Sequence, residues 1–149
     1  MSKRNSMTGG CQCGRIRYTA EIEDFDAYLC HCRYCQRATG GVSVAFKNLP
    51  KAAVAWTTEP DWYASSPIAR RPFCSACGTP LGFAYPDSDE MDLTIGSFDD
   101  PTAFVPKWNF GVEGRLDAWR DSSRLPDHRA DDHEATQQRW RAAGATPAY

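Results

Sequence analysis

All seven cysteines of this 149-residue chain fall into three tight clusters: Cys11-Gln12-Cys13-Gly14, Cys30-His31-Cys32-Arg33-Tyr34-Cys35 and Cys74-Ser75-Ala76-Cys77-Gly78. Thiols one to three residues apart converge on a soft cation more easily than they pair in unstrained disulfides. Seven divides into four plus three, the arithmetic of one closed tetrahedral zinc site and one zinc site with an open position. An open position is where chemistry or ligand binding would occur.

Glycine follows the last cysteine of both outer clusters. In a zinc knuckle the chain turns sharply after the second ligand and aims backbone N–H groups at the sulfurs, and glycine relieves the steric cost of that turn. Cys35 is followed by Gln36, so the middle cluster lacks this mark. The outer clusters are therefore paired: Cys11, Cys13, Cys74 and Cys77 as a closed structural site. Cys30, Cys32 and Cys35 remain as three thiolates whose fourth ligand is water, a substrate thiol or His31. Two sequence-adjacent cysteines already converge there, so His31 is expected to point away. A redox trio without metal is the competing reading.

These clusters need a scaffold. Ile16, Tyr18, Ala20 and Ile22 alternate with polar residues as in a half-buried strand. Similar short runs occur at Val42–Phe46, Val54–Thr57, Trp62–Ala64, Leu81–Tyr85, Met91–Ile95 and Trp108–Phe110, separated by Gly-, Pro- and Asp-rich turns. Many short strands without intervening long helical periods predict an all-β architecture and argue against a doubly wound nucleotide-binding sheet. One or two helical turns are expected over Cys32–Thr39, closed by Gly40-Gly41. The polar segment from about Asp131 to Ala143 reads as a surface helix held by Trp140 or as a frayed tail. Residues 1–8 read as a flexible N-terminus, 9–127 as the zinc domain and 128–149 as a polar extension.

The first ten residues have two basic side chains and no apolar run, so no signal peptide is expected, and no stretch suits a transmembrane helix. A cytoplasmic, reducing setting follows as an expectation. The formal charge is -2; subtracting seven for thiolates and adding four for two Zn²⁺ takes it to -5. Such a balance disfavours nucleic-acid binding. Arg33, Arg37, Arg70 and Arg71 flank the clusters and either offset thiolate charge or hold an anionic ligand. His128 and His133 are expected to be solvated. The aromatic residues are core by default, with some available to wall a pocket over the open metal. No phosphate loop, H-E-x-x-H or G-x-S-x-G motif is present.

The combination of C-x-C-G, C-H-C-x-x-C and Arg71-Pro72-Phe73-Cys74-Ser75-Ala76-Cys77-Gly78-Thr79-Pro80-Leu81 resembles the glutathione-dependent formaldehyde-activating family, which also includes centromere protein V. Supporting matches are Ala38-Thr39-Gly40, Gly96-Ser97-Phe98-Asp99-Asp100-Pro101 and Leu125-Pro126. The resemblance implies a zinc-stabilised β-tent of stacked antiparallel sheets. Carried over by motif, Cys11, Cys13, Cys74 and Cys77 would hold structural zinc and Cys30, Cys32 and Cys35 catalytic zinc. It further implies a carbon–sulfur lyase that joins glutathione, as co-substrate, to formaldehyde. After the Asp-Asp-Pro segment, where many family members have a histidine and then an apolar residue, this chain reads Lys107-Trp108. The alternative function is a non-catalytic zinc module that binds a protein or small-molecule partner.

Overall fold

The computed structural model describes residues 4–148, which are mainly β, with ten strands in two sheets and two α-helices. The smaller sheet has the order β1 (Asn5–Gly10), β2 (Arg17–Ile22), β5 (Val54–Trp56). The larger runs β10 (Val105–Phe110), β3 (Asp26–Cys30), β4 (Val44–Pro50), β9 (Glu90–Thr94), β8 (Gly82–Ala84), β7 (Ala69–Phe73), β6 (Asp61–Ser66). All named pairs are antiparallel except β10 with β3. That exception departs from the expectation of purely antiparallel sheets. The chain leaves β9 in the middle of the sheet and crosses through residues 95–104 before joining the edge beside β3, and such a crossover connection permits parallel pairing.

The alternation read in β2 places Tyr18, Ala20 and Ile22 inside. They pack in one cluster with Leu49 of β4, Met91 and Leu93 of β9, Leu81 and Phe98, so the main core lies between the two sheets. Strand pairing begins at Asn5, inside the segment read as flexible, and residues 1–3 lie outside the described residues. Chain contacts divide the molecule into a unit ending at Leu116 and one from Asp117 onward, a division earlier than the boundary placed after residue 127. The second unit holds α2 (Glu134–Ala143), on which Trp140 is half-buried. No helix among the described residues is long and apolar enough to cross a membrane.

The opposite face of the large sheet differs in kind. Register aligns Trp108 with Tyr28 and Tyr28 with Phe46, and in the next rung Asn48 with Asp92 and Asp92 with Phe83. This face carries a second small cluster of Cys30, Cys35, Val44 and Phe46. It also carries a buried polar set: Tyr28 Oη donates to Asp92 Oδ1 at 3.0 Å, and Asn48 Nδ2 donates to the same oxygen at 3.3 Å. Burial pushes the Asp92 carboxyl up to about 6, against the opposing pull of those two hydrogen bonds. An acid with a raised folded-state value contributes stability that is present below its unfolded value, near 4, and lost as pH rises through 6. Between pH 5 and pH 8 the wild type should therefore lose about 1 to 1.5 kcal/mol relative to Asp92→Asn. Parallel urea titrations of both proteins check this, and a difference that stays flat with pH would refute it.

Candidate metal centres and the cavity beside them

The turn between β1 and β2 delivers Cys11 and Cys13, and the turn after β7 delivers Cys74 and Cys77. Their four sulfurs lie within 4.8 Å of one another. Cys11 Sγ and Cys13 Sγ are 3.6 Å apart, and Cys13 Sγ and Cys74 Sγ 3.8 Å. A zinc–sulfur bond of about 2.3 Å in a tetrahedron sets sulfur–sulfur edges of about 3.8 Å, whereas a disulfide would require about 2.05 Å. The donor set therefore fits zinc. Gly14 and Gly78 adopt φ of 81° and 79°, the left-handed turn that the two knuckles need. Backbone N–H groups serve the sulfurs: Ile16 N donates to Cys11 Sγ at 3.2 Å, and those of Ala76 and Cys77 point at Cys74.

The surrounding support was not read from the sequence. Arg15 Nε donates to Cys74 Sγ at 3.4 Å, while its guanidinium pairs with Asp61. Asp61 in turn accepts from Ser75 N at 2.7 Å. Thr79 Oγ1 sits 3.2 Å from Cys77 Sγ and accepts from Gln12 N at 3.0 Å, stitching one knuckle to the other. Arg15 immediately follows Cys-x-Cys-Gly, a position that could have marked it; Asp61 is remote in sequence and carried no signal.

The sulfurs of Cys30, Cys32 and Cys35 also lie within 4.8 Å of one another, with Cys30 and Cys32 3.5 Å apart. Cys30 ends β3, and the other two belong to the start of α1 (Arg33–Thr39). Cys32 is the N-cap of that helix: its Sγ accepts from Cys35 N at 3.3 Å. Gly40 closes the helix in the left-handed conformation, as the sequence predicts. Among the described residues no histidine, aspartate or glutamate joins the three sulfurs. His31 is buried with Nε2 against Asn109 Oδ1 at 2.8 Å, so its ring is held by β10. Gln36 Nε2, also buried, shares its two hydrogens among the carbonyl oxygens of His31, Val42 and Gly114, tying α1 to the segments that follow β3, precede β4 and follow β10.

Arg71 is buried, and its Nη2 donates to Cys35 Sγ at 3.4 Å while the guanidinium lies 4.9 Å from the centre of the Phe83 ring. Its Nε has no hydrogen-bond partner. The hydrogen bond from Cys30 lowers the Cys35 thiol, with Arg71 adding to the effect, and the same sharing together with burial pushes Cys30 up. Of the four arginines near the clusters, Arg71 is thus the one that meets the middle cluster's sulfur. Arg33 bonds Gln36 at 2.6 Å, and Arg70 lies over Trp62. His128 and His133 lie exposed in the second unit, His133 on Thr136 Oγ1 at 2.8 Å.

The two cysteine groups differ in what they face. Cys30, Cys32 and Cys35 form part of the wall of a cavity of ≈ 600 Å³, and none of Cys11, Cys13, Cys74 and Cys77 does. Tyr28, Phe46, Phe83 and Trp108 line it, with Arg71 and Asp92 as its charged members. The expectation that some aromatics wall a pocket over the three thiols is met, chiefly by side chains of β3, β4, β8 and β10.

Residues 6–113 match the family described as glutathione-dependent formaldehyde-activating enzyme. An uncharacterized lyase of Schizosaccharomyces pombe is 39% identical over 77 residues, 52% of this chain and 56% of the yeast protein. The chain thus matches little more than half the length of that curated relative. A crystal structure of a Rhodobacter sphaeroides protein aligns with a TM-score of 0.55 at 21% identity, covering 68% of this chain and 99% of that one, a likeness of fold. With the match extending over most of the β unit and both cysteine groups, the chain belongs to the glutathione-dependent formaldehyde-activating enzyme family.

Proposed function

We propose that this protein is a zinc-dependent carbon–sulfur lyase that adds a thiol such as glutathione to formaldehyde or a similar aldehyde beside Cys30, Cys32 and Cys35. The observation that carries this reading is that these three sulfurs, with no fourth protein ligand among the described residues, open onto a cavity, while the other four do not. Cys11, Cys13, Cys74 and Cys77 are assigned a structural zinc. A reducing, cytoplasmic setting suits seven free thiols.

The reaction is an addition without net redox change. A carbon–sulfur bond forms, the carbonyl π bond breaks, and the thiol proton ends on the former carbonyl oxygen to give an S-hydroxymethyl adduct. Zinc held by Cys30, Cys32 and Cys35 would supply a Lewis acid with a free coordination position, lowering the pKa of an incoming thiol or polarising a carbonyl. Arg71 offsets the charge of the sulfurs through Cys35. Tyr28 gives its only hydroxyl hydrogen to Asp92, which leaves Tyr28 Oη as an acceptor in the cavity wall, matched to the hydroxyl of the adduct rather than to an oxyanion. The aromatic walls limit water around the reacting atoms, which strengthens the polar contacts that remain.

The structural and functional sulfurs should respond differently to substitution. Zinc-finger peptides gain roughly 10–16 kcal/mol from metal binding, against a usual domain stability of about 5–15 kcal/mol. Cys77→Ser should therefore be largely unfolded by circular dichroism. Cys32→Ser should stay folded with one zinc per chain where the wild type carries two, as read by atomic absorption. Identical behaviour of the two variants would overturn the division of roles.

For the activity, glutathione should perturb the thiolate-to-metal absorption of cobalt-loaded protein. The wild type should also accelerate exchange between formaldehyde and its glutathione adduct in magnetisation-transfer NMR, and Cys32→Ser should not. A wild type that leaves the spontaneous exchange rate unchanged under saturating glutathione would instead make this a non-catalytic zinc module.

A further inference from the structure

The cavity beside the three cysteines is much larger than formaldehyde requires. At ≈ 600 Å³ it lies in the range of sites that enclose a ligand of many heavy atoms, whereas formaldehyde has two. A thiol such as glutathione, with two carboxylates, is not what a mainly apolar lining with a single cation suits. The cavity's two charged side chains are already engaged. Arg71, the one cation in its lining, is seated between Cys35 Sγ and the Phe83 ring. Asp92, the one carboxylate, accepts from Tyr28 and Asn48. No free cation is left in the lining to meet a carboxylate on the bound molecule.

The rest of the wall is mainly apolar, with the hydroxyls of Tyr34, Ser65, Ser66 and Tyr85 as its neutral polar groups, and the apolar part continues to the rim. Trp108 stacks on Tyr28 with ring centres 5.3 Å apart and planes within 4° of parallel, yet stays 49% exposed. Ile68, in the turn between β6 and β7, lines the same cavity and is 66% exposed. Phe110 is likewise in the lining and exposed. Large apolar side chains left in solvent around a concave site mark a surface that a ligand covers. Stacked aromatic faces favour a flat, uncharged body over a hydrated one.

From these features we infer that the carbonyl reactant carries an uncharged aryl or comparably apolar body, which occupies the aromatic cavity while its carbonyl group lies at the Cys30, Cys32 and Cys35 end. This rests on the reading of the site as a thiol-addition centre and adds the substrate class to it. Selectivity then comes from the walls: burying even one extra methylene in an apolar pocket changes discrimination by roughly 10-fold or more, and a charged substituent meets no counter-charge.

The test compares formaldehyde, benzaldehyde and 4-carboxybenzaldehyde with glutathione as the common thiol, each rate expressed as acceleration over its own spontaneous reaction. Benzaldehyde should be accelerated at least about 10-fold more than formaldehyde, and the carboxylate should lose at least about 10-fold against benzaldehyde. Trp108→Ala and Ile68→Ser should each narrow the benzaldehyde-to-formaldehyde ratio by about 5-fold, with Trp108→Phe restoring most of it. Equal or greater acceleration of formaldehyde, or tolerance of the carboxylate, overturns the inference and leaves thiol addition standing. Benzaldehyde binding is read separately by tryptophan fluorescence on the wild type and Cys32→Ser. If no aldehyde is accelerated but benzaldehyde binds both proteins alike and Trp108→Ala about 10-fold more weakly, the thiol-addition reading fails and the cavity's occupant class stands. Absence of saturable benzaldehyde binding overturns the inference.

Discussion

The meeting of two sharp turns, one after β1 and one after β7, is the constraint on which the rest of this fold depends. Cys13 and Cys74 are 61 residues apart in sequence and 3.8 Å apart at their sulfurs. One turn belongs to the small sheet and the other to the large one, so their convergence clamps the two sheets at a common edge. Closing so long a loop costs chain entropy, and a metal bound where its ends meet would offset that cost. The core between the sheets, with Tyr18, Ile22, Leu81 and Leu93 nearly inaccessible, follows from holding those two faces together.

Strand β7 links that clamp to the cavity. Successive side chains of a strand point to opposite faces. Arg71 and Cys74 are three positions apart, so the same short stretch presents Arg71 on one side, where it meets Cys35, and Cys74 on the other, where it meets Cys13. The two cysteine groups are therefore supported by one piece of backbone. Displacement of β7 would disturb both.

Much of this was legible because zinc-ligand spacing is local. The knuckle glycines, the helix after Cys32 and the alternation of β2 are all properties of a few consecutive residues. What escaped was long-range. Strand β1 is Asn-Ser-Met-Thr-Gly-Gly, with little β-branched or aromatic content, and it is a strand because β2 pairs with it residue for residue. Strand β7 contains two arginines and a proline and lies outside the alternating runs of the sequence; pairing with β6 makes it a strand. Asn109 and Asp92 looked like ordinary polar strand residues; only the register that sets them against His31, Tyr28 and Asn48 gives them a role. The parallel β10–β3 pair likewise depends on a crossover with no sequence signature of its own.

Arg71 also constrains the chemistry of the cysteines it touches. A guanidinium that is only 3% exposed needs a counter-charge, because an unpaired buried ion is strongly destabilising. Among the described residues no carboxylate pairs with it, and the group it reaches that can carry negative charge is Cys35 Sγ. Burial of Arg71 is therefore understandable only if the cluster is anionic, as three thiolates around a divalent cation would be, with a net charge of -1 that one guanidinium cancels. That cancellation explains how the cavity can end in a cluster of ionisable sulfurs and still have apolar walls. With the cluster's charge offset in that way, aromatic side chains can line the cavity beside it, while Arg33 and Arg37 border an adjoining pocket that shares Tyr34 and Ser65 with it.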